Sequence, residues 1–102
     1  MKRVAFAMKL KPGCEAAYKQ RHDEIWPELV AQMRARGTRN YSIYRHGLLL
    51  FAYLETQEAD DRLNAPPSDL TRRWWKTMEP YMECDEEGRP RRVPLEEVFH
   101  LD

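Results

Sequence analysis

Apolar side chains recur along the chain with two different periods, and the places where the period changes divide it into elements. Positions 4–10 form a compact apolar run, and Lys11-Pro12-Gly13 closes it with residues that cannot continue a ladder, which predicts a first strand. Over 14–36 the period becomes helical. Tyr18, His22, Ile25, Leu29 and Met33 recur at steps of three and four, whereas Glu15, Lys19, Glu28, Gln32 and Arg36 fall largely elsewhere, so one face of a helix turns inward. Gly37 suits the stop, because glycine accepts the left-handed backbone found at a helix C-terminus. Pro27 interrupts this stretch: its missing N–H and its ring oppose the bond to the Asp23 carbonyl. A bend near His22 or Asp23 is expected, either as a kink or as a break between two short helices, and it would open room beside His22.

Further along, Tyr41, Ile43 and Tyr44 lie in the β-favouring stretch 40–45, His46-Gly47 supplies a turn, and 48–55 is a second β-rich run; a hairpin is the simplest account. The polar stretch 56–64 has room for a short helix. Pro66-Pro67 punctuates it, and Ser68 is placed to cap a helix from Asp69 to about Met82 with Leu70, Trp74, Met78 and Tyr81 along one side. After a polar loop over 85–92, the apolar stretch 95–101 predicts a last strand. The order βαββαβ suits an α+β, ferredoxin-like split βαβ with an antiparallel sheet and both helices on one face. The other face then needs a cover, and a second copy could supply it, closing two sheets around an aromatic-lined cavity.

Length and charge narrow the possible partners. With 102 residues the chain is read as one domain, 1–102, which gains from pairing with a second copy because a domain this small shelters only part of its surface. Seventeen basic residues balance seventeen acidic ones, so there is no electrostatic footprint for nucleic acid or an anionic membrane. Cys14 and Cys84 form neither a CxxC nor a Cys/His spacing, so no metal is expected and a reducing cytoplasm fits best. Lys9 interrupts the apolar run after Lys2 and Arg3 before it reaches signal-peptide length, and no segment is long enough to cross a bilayer.

Histidine is the side chain whose ordinary pKa suits a proton carrier near neutrality. His46 beside the hairpin glycine reads as a solvated turn residue, and His100 of the last strand as either a partly buried polar residue, the favoured reading, or a neighbour of the pocket. His22 shares a helix face with Tyr18 and with the apolar positions, so it points inward, either as a core histidine with local partners or as a group facing a hydroxylated ligand. Trp74 and Trp75 are adjacent and project about 100° apart on a helix, so both cannot fill one core position. Core or dimer packing accounts for them, and so does an aromatic wall against a sugar ring.

The stretches YKQRHDEIWPEL at 18–29, NYSIY at 40–44, RWWK at 73–76 and EEVFHL at 96–101 follow one another with the separations of a known family. Taken together they resemble the L-rhamnose mutarotases, nearly end to end. That resemblance implies a ferredoxin-like subunit, a homodimer in the cytoplasm, no metal or cofactor, and interconversion of sugar anomers. It also implies that His22 is the proton donor and that Tyr18, Tyr41, Trp74 and Trp75 contact the sugar. On this reading His22 protonates the ring oxygen and recovers the proton on closure, while the base is a tyrosine, Asp23 or a water. The tight His46-Gly47 turn and Pro66-Pro67 depart from the usual family pattern and bear on the rim of the pocket. Two rival functions suit the same architecture: a cofactor-independent monooxygenase or lactone isomerase, and a non-catalytic sugar-binding module.

Overall fold

In a computed structural model, which describes residues 1–57 and 66–102, the chain forms a four-stranded antiparallel sheet. Strand β1 is Lys2–Lys9, and its alternating Val4, Phe6 and Met8 are buried on one face. The following chain solves the Pro27 conflict by breaking rather than kinking. Helix α1 (Glu15–Asp23) ends before the proline, and α2 (Pro27–Ala35) starts on it, where a missing N–H is harmless and the fixed φ is already helical. Keeping Pro27 in a helix interior would cost about 3 kcal/mol. Helix α2 closes as expected at Gly37, whose φ of 87° is the left-handed conformation that glycine adopts without strain.

Strands β2 (Arg39–His46) and β3 (Leu49–Thr56) form the hairpin, with the turn at Gly47-Leu48, one residue later than the sequence suggested. Pairing shifts between Arg39↔Glu55 and Ser42↔Tyr53, so Asn40 and Tyr41 together oppose Leu54. Asn40 absorbs this bulge at φ 50°, a conformation asparagine tolerates better than most residues. The expected short helix over 56–64 falls mostly on 58–65, outside the described residues; Thr56 itself is the last residue of β3. Helix α3 (Asp69–Met78) is capped as anticipated, with the Ser68 hydroxyl accepting from the Thr71 N–H. It stops short of Met82 because Pro80 cannot donate back to Lys76, and the chain tightens into a 3-10 turn over Glu79–Tyr81. The last strand, β4, is Val93–Leu95 rather than 95–101. It is an edge strand, where the absent N–H of Pro94 is tolerated, and the residues after it are tethered through the Arg3–Glu97 ion pair instead of a ladder.

The sheet order is β2-β3-β1-β4. Strands β1 and β2, linked through α1 and α2, therefore flank β3, while β3 and β4, linked through α3, flank β1. The pairs Val4↔Leu54, Phe6↔Ala52 and Met8↔Leu50 put six buried side chains on one face. Tyr18, Leu29, Trp74 and Met78 from the helices complete the core above them. The opposite face carries Tyr44, Phe51, Val93 and Leu95, all exposed.

One polar cluster fixes how α3 meets α2. The Ser68 hydroxyl donates to Gln32 Oε1 at 2.8 Å and Gln32 Nε2 donates to the Thr71 hydroxyl at 2.9 Å. Replacing Ser68 with Ala removes the cap and one of the two hydrogen bonds to Gln32, leaving the Gln32–Thr71 bond, and should lower stability by about 1–2 kcal/mol in urea unfolding, at the upper end of what a helix cap contributes.

Candidate active site

Helix α1 sets the chemistry through one four-residue step. Tyr18 and His22 lie one above the other, with ring centroids 4.3 Å apart. His22 Nδ1 sits 3.1 Å from the Tyr18 carbonyl oxygen. A carbonyl can only accept, so Nδ1 carries the hydrogen and Nε2 is the nitrogen left to exchange a proton. Burial pushes the His22 pKa below its ordinary value; the Tyr18 carbonyl opposes this, the Arg21 charge reinforces it and Asp23 opposes it. The imidazole is therefore predominantly neutral at neutral pH. Burial, with a smaller contribution from Tyr41, pushes the Tyr18 phenol well above its ordinary range, so it remains a hydrogen-bond donor.

Trp74 of α3 is the side chain on which this corner converges. His22 stands edge-on to it at 5.5 Å, Trp26 edge-on at 5.2 Å, and the Arg21 guanidinium lies 5.5 Å from its ring centroid. Such edge-to-face and cation contacts are favourable geometries for aromatic rings. Trp26 reaches Trp74 because it occupies the break between α1 and α2, immediately before Pro27. Trp75 points elsewhere, as adjacent helical residues must, and the Arg89 guanidinium lies 5.2 Å from its ring.

Between the helices and the sheet lies a cavity of about 890 Å³, within the range of small-molecule sites. Tyr18, His22, Tyr41, Trp74 and Trp75 all line it. Their exposure divides them: Tyr18 and Trp74 are each only 7 % exposed and form the floor, whereas Tyr41 at 38 % stands at the mouth. Glu15, Lys19 and Gln32 line the cavity too, although the sequence pattern assigned them to other faces. A signal for the first two existed, since Glu15 precedes His22 by seven residues and Lys19 by three, both of which return to one side of a helix. Trp26 and Arg92 were also missed. Trp26 joins the site through the helix break, and Arg92 comes from the chain before β4, with its guanidinium 5.7 Å from the Phe6 ring.

The other histidines lie outside the cavity lining. His46 ends β2 and is exposed; His100, expected to be partly buried in a strand, lies exposed beyond β4 with Nε2 2.8 Å from Asp102 Oδ1. Among the described residues no group of three or more His, Cys, Asp or Glu side chains lies close enough to hold a metal ion. Nor is any described helix long and apolar enough to cross a membrane.

Fold and cavity together define a small α+β domain in which one neutral imidazole faces an aromatic-walled chamber. The family model described as L-rhamnose mutarotase matches residues 3–101. Relatives named L-rhamnose mutarotase include a Leptothrix cholodnii protein, 42 % identical over 98 % of this chain and 96 % of its own, and a Bacteroides thetaiotaomicron protein, 41 % identical over the whole of both. A crystal structure of an L-rhamnose mutarotase from Formosa agariphila superposes with a TM-score of 0.89 at 36 % identity, covering both chains fully. The chain belongs to the L-rhamnose mutarotase family.

If burial governs His22 as described, its imidazole titrates below the ordinary value of about 6.5. NMR observation of its ring proton through a pH series should place the midpoint under that value, and a midpoint above it would remove the basis for a neutral resting state.

Proposed function

We propose that the protein interconverts the α and β anomers of L-rhamnose by opening and closing the sugar ring, with His22 as the proton carrier and with neither metal nor cofactor. The observation that carries this reading is the His22 Nδ1 bond to the Tyr18 carbonyl, which leaves Nε2 as the exchanging nitrogen of a neutral imidazole lining an aromatic cavity. His22 Nε2 accepts the proton of the anomeric hydroxyl. As the C1–O1 double bond forms and the bond from C1 to the ring oxygen breaks, the imidazolium returns that proton to the ring oxygen. Rotation about the C1–C2 bond and the reverse steps close the ring on the other face. Protons balance, and the same imidazole provides both the acid step foreseen from the sequence and the base that the sequence left open. Tyr18 and Tyr41 hold sugar hydroxyls, and Trp74 and Trp75 form the apolar wall against the C–H faces of the ring.

General acid–base help of this kind contributes about 10² to 10⁴ in rate, enough for a reaction that already proceeds in water. Family membership favours mutarotation over a monooxygenase, a lactone isomerase or a non-catalytic sugar-binding module. The test is NMR exchange between the two rhamnose anomers, comparing native protein with His22→Ala; the variant should lose at least about tenfold. Because the neutral form starts the cycle, activity should rise with pH through the depressed His22 pKa and level off above it. Full activity in the variant would remove His22 from the mechanism.

We further propose a cytoplasmic homodimer of single-domain, ferredoxin-like subunits joined through the open sheet face. Tyr44, Phe51, Val93 and Leu95 share that face and are exposed, an apolar patch of the kind that marks an interface. Sedimentation should give the mass of two chains. Leu95→Asp should shift it to one, and a native chain that sediments as a monomer would refute the assembly.

A further inference from the structure

We infer that Arg21 is a positioning residue for the anomer exchange: its guanidinium fixes the Trp74 indole that floors the cavity and against which His22 stands. This rests on the mutarotase reading and on Trp74 as a wall for the sugar. Arg21 belongs to α1 but, unlike Tyr18 and His22, stands beside the cavity lining rather than in it. Its guanidinium lies 5.5 Å from the centroid of the Trp74 ring, which His22 meets edge-on at 5.5 Å. Arg21 Nε is buried without a hydrogen-bond partner. A buried donor left unpaired is costly, and attraction between a guanidinium and an indole face offsets part of that cost. An arginine serving only solubility would keep that nitrogen in water.

Two consequences reach the substrate. An indole already held in one pose needs no ordering when the sugar arrives, whereas a loosened one must be immobilised on binding, which weakens affinity. A guanidinium suits this task because it is planar and stacks on aromatic faces, while an ammonium is compact and strongly hydrated. The second consequence is electrostatic. Burial lowers the His22 pKa most, the Tyr18 carbonyl and Asp23 raise it, and the Arg21 charge lowers it further. The Trp74 ring that α3 packs against the imidazole is uncharged and the Tyr18 phenol stays protonated, so Arg21 and Asp23 are the charges that bear on it. Without the Arg21 charge the His22 pKa rises, and the neutral imidazole that starts the cycle forms only at higher pH.

The experiment measures L-rhamnose anomer exchange against concentration and pH for native protein, Arg21→Lys, Arg21→Met and His22→Ala, with circular dichroism confirming the fold of each variant. Arg21→Lys keeps the charge and loses the planar fork, whereas Arg21→Met keeps an apolar stem and loses both. Both should raise the rhamnose KM about threefold to tenfold, as expected when one side chain must be ordered on binding, with kcat within about twofold of native. In kcat/KM against pH, which reports the free enzyme, the midpoint should move to higher pH in Arg21→Met and keep its native place in Arg21→Lys. A rhamnose KM within about 1.5-fold of native in both variants overturns the proposal, as does a KM rise in Arg21→Met with an unmoved midpoint, which loss of packing alone would give. If His22→Ala is inactive while both Arg21 variants behave as native, the mutarotase reading stands and this inference alone falls. No acceleration by native protein overturns both.

Discussion

Pro27 is the constraint on which the rest of the site depends. A continuous helix over 14–36 would carry Trp26 around on the helical spiral and leave His22 in a helix interior. The proline makes that arrangement costly, so α1 ends at Asp23 and α2 restarts on Pro27 itself. Two consequences follow from the break. Trp26 becomes free to stand edge-on to Trp74, and His22 occupies the last turn of α1, where its ring meets the same indole. The aromatic corner is thus assembled from a turn, a helix end and the middle of a third helix, and each piece is held by contact with Trp74.

Within that corner, burial and hydrogen bonding act on the imidazole in opposite directions. Desolvation disfavours the imidazolium, while the Tyr18 carbonyl stabilises it and fixes the tautomer. Burial is the larger influence, so the ring rests neutral yet keeps a backbone partner ready to support it once charged. A proton carrier that must return its proton within one cycle benefits from this balance, since a strongly stabilised imidazolium would retain the proton and a wholly unsupported one would not accept it. The neighbouring phenol, held protonated by its own burial, contributes hydrogen bonding without competing for the proton.

The two faces of the sheet divide the work of the fold. One face, with Val4, Phe6, Met8, Leu50, Ala52 and Leu54, is sealed by helices and supports the cavity from below. The other is open and mixed, with Tyr44, Phe51, Val93 and Leu95 exposed beside the polar Arg3, Ser42 and Glu55. Antiparallel sheets tolerate one solvated face when it is polar. Here the exposed cluster of Tyr44, Phe51, Val93 and Leu95 breaks that polarity, which is the physical ground for the proposed pairing with a second copy.

Local spacing in the sequence determined a good deal: the buried face of the first strand, the hairpin, the Ser68 cap, the glycine stop after α2, and the pairing of Tyr18 with His22 on one helix face. These depend on residues within a few positions of one another, where backbone geometry leaves few choices. The choice between a kink and a break at Pro27, the displacement of β4 to Val93–Leu95 and the exposure of His100 depended on what each segment packs against. So did the inward placement of Glu15, Lys19 and Gln32. A polar residue reads as a surface residue in a periodic pattern, because periodicity distinguishes apolar from polar and not solvent from cavity. Only when two helices and a strand from distant parts of the chain enclose a chamber does a polar side chain at its edge become a group facing a ligand.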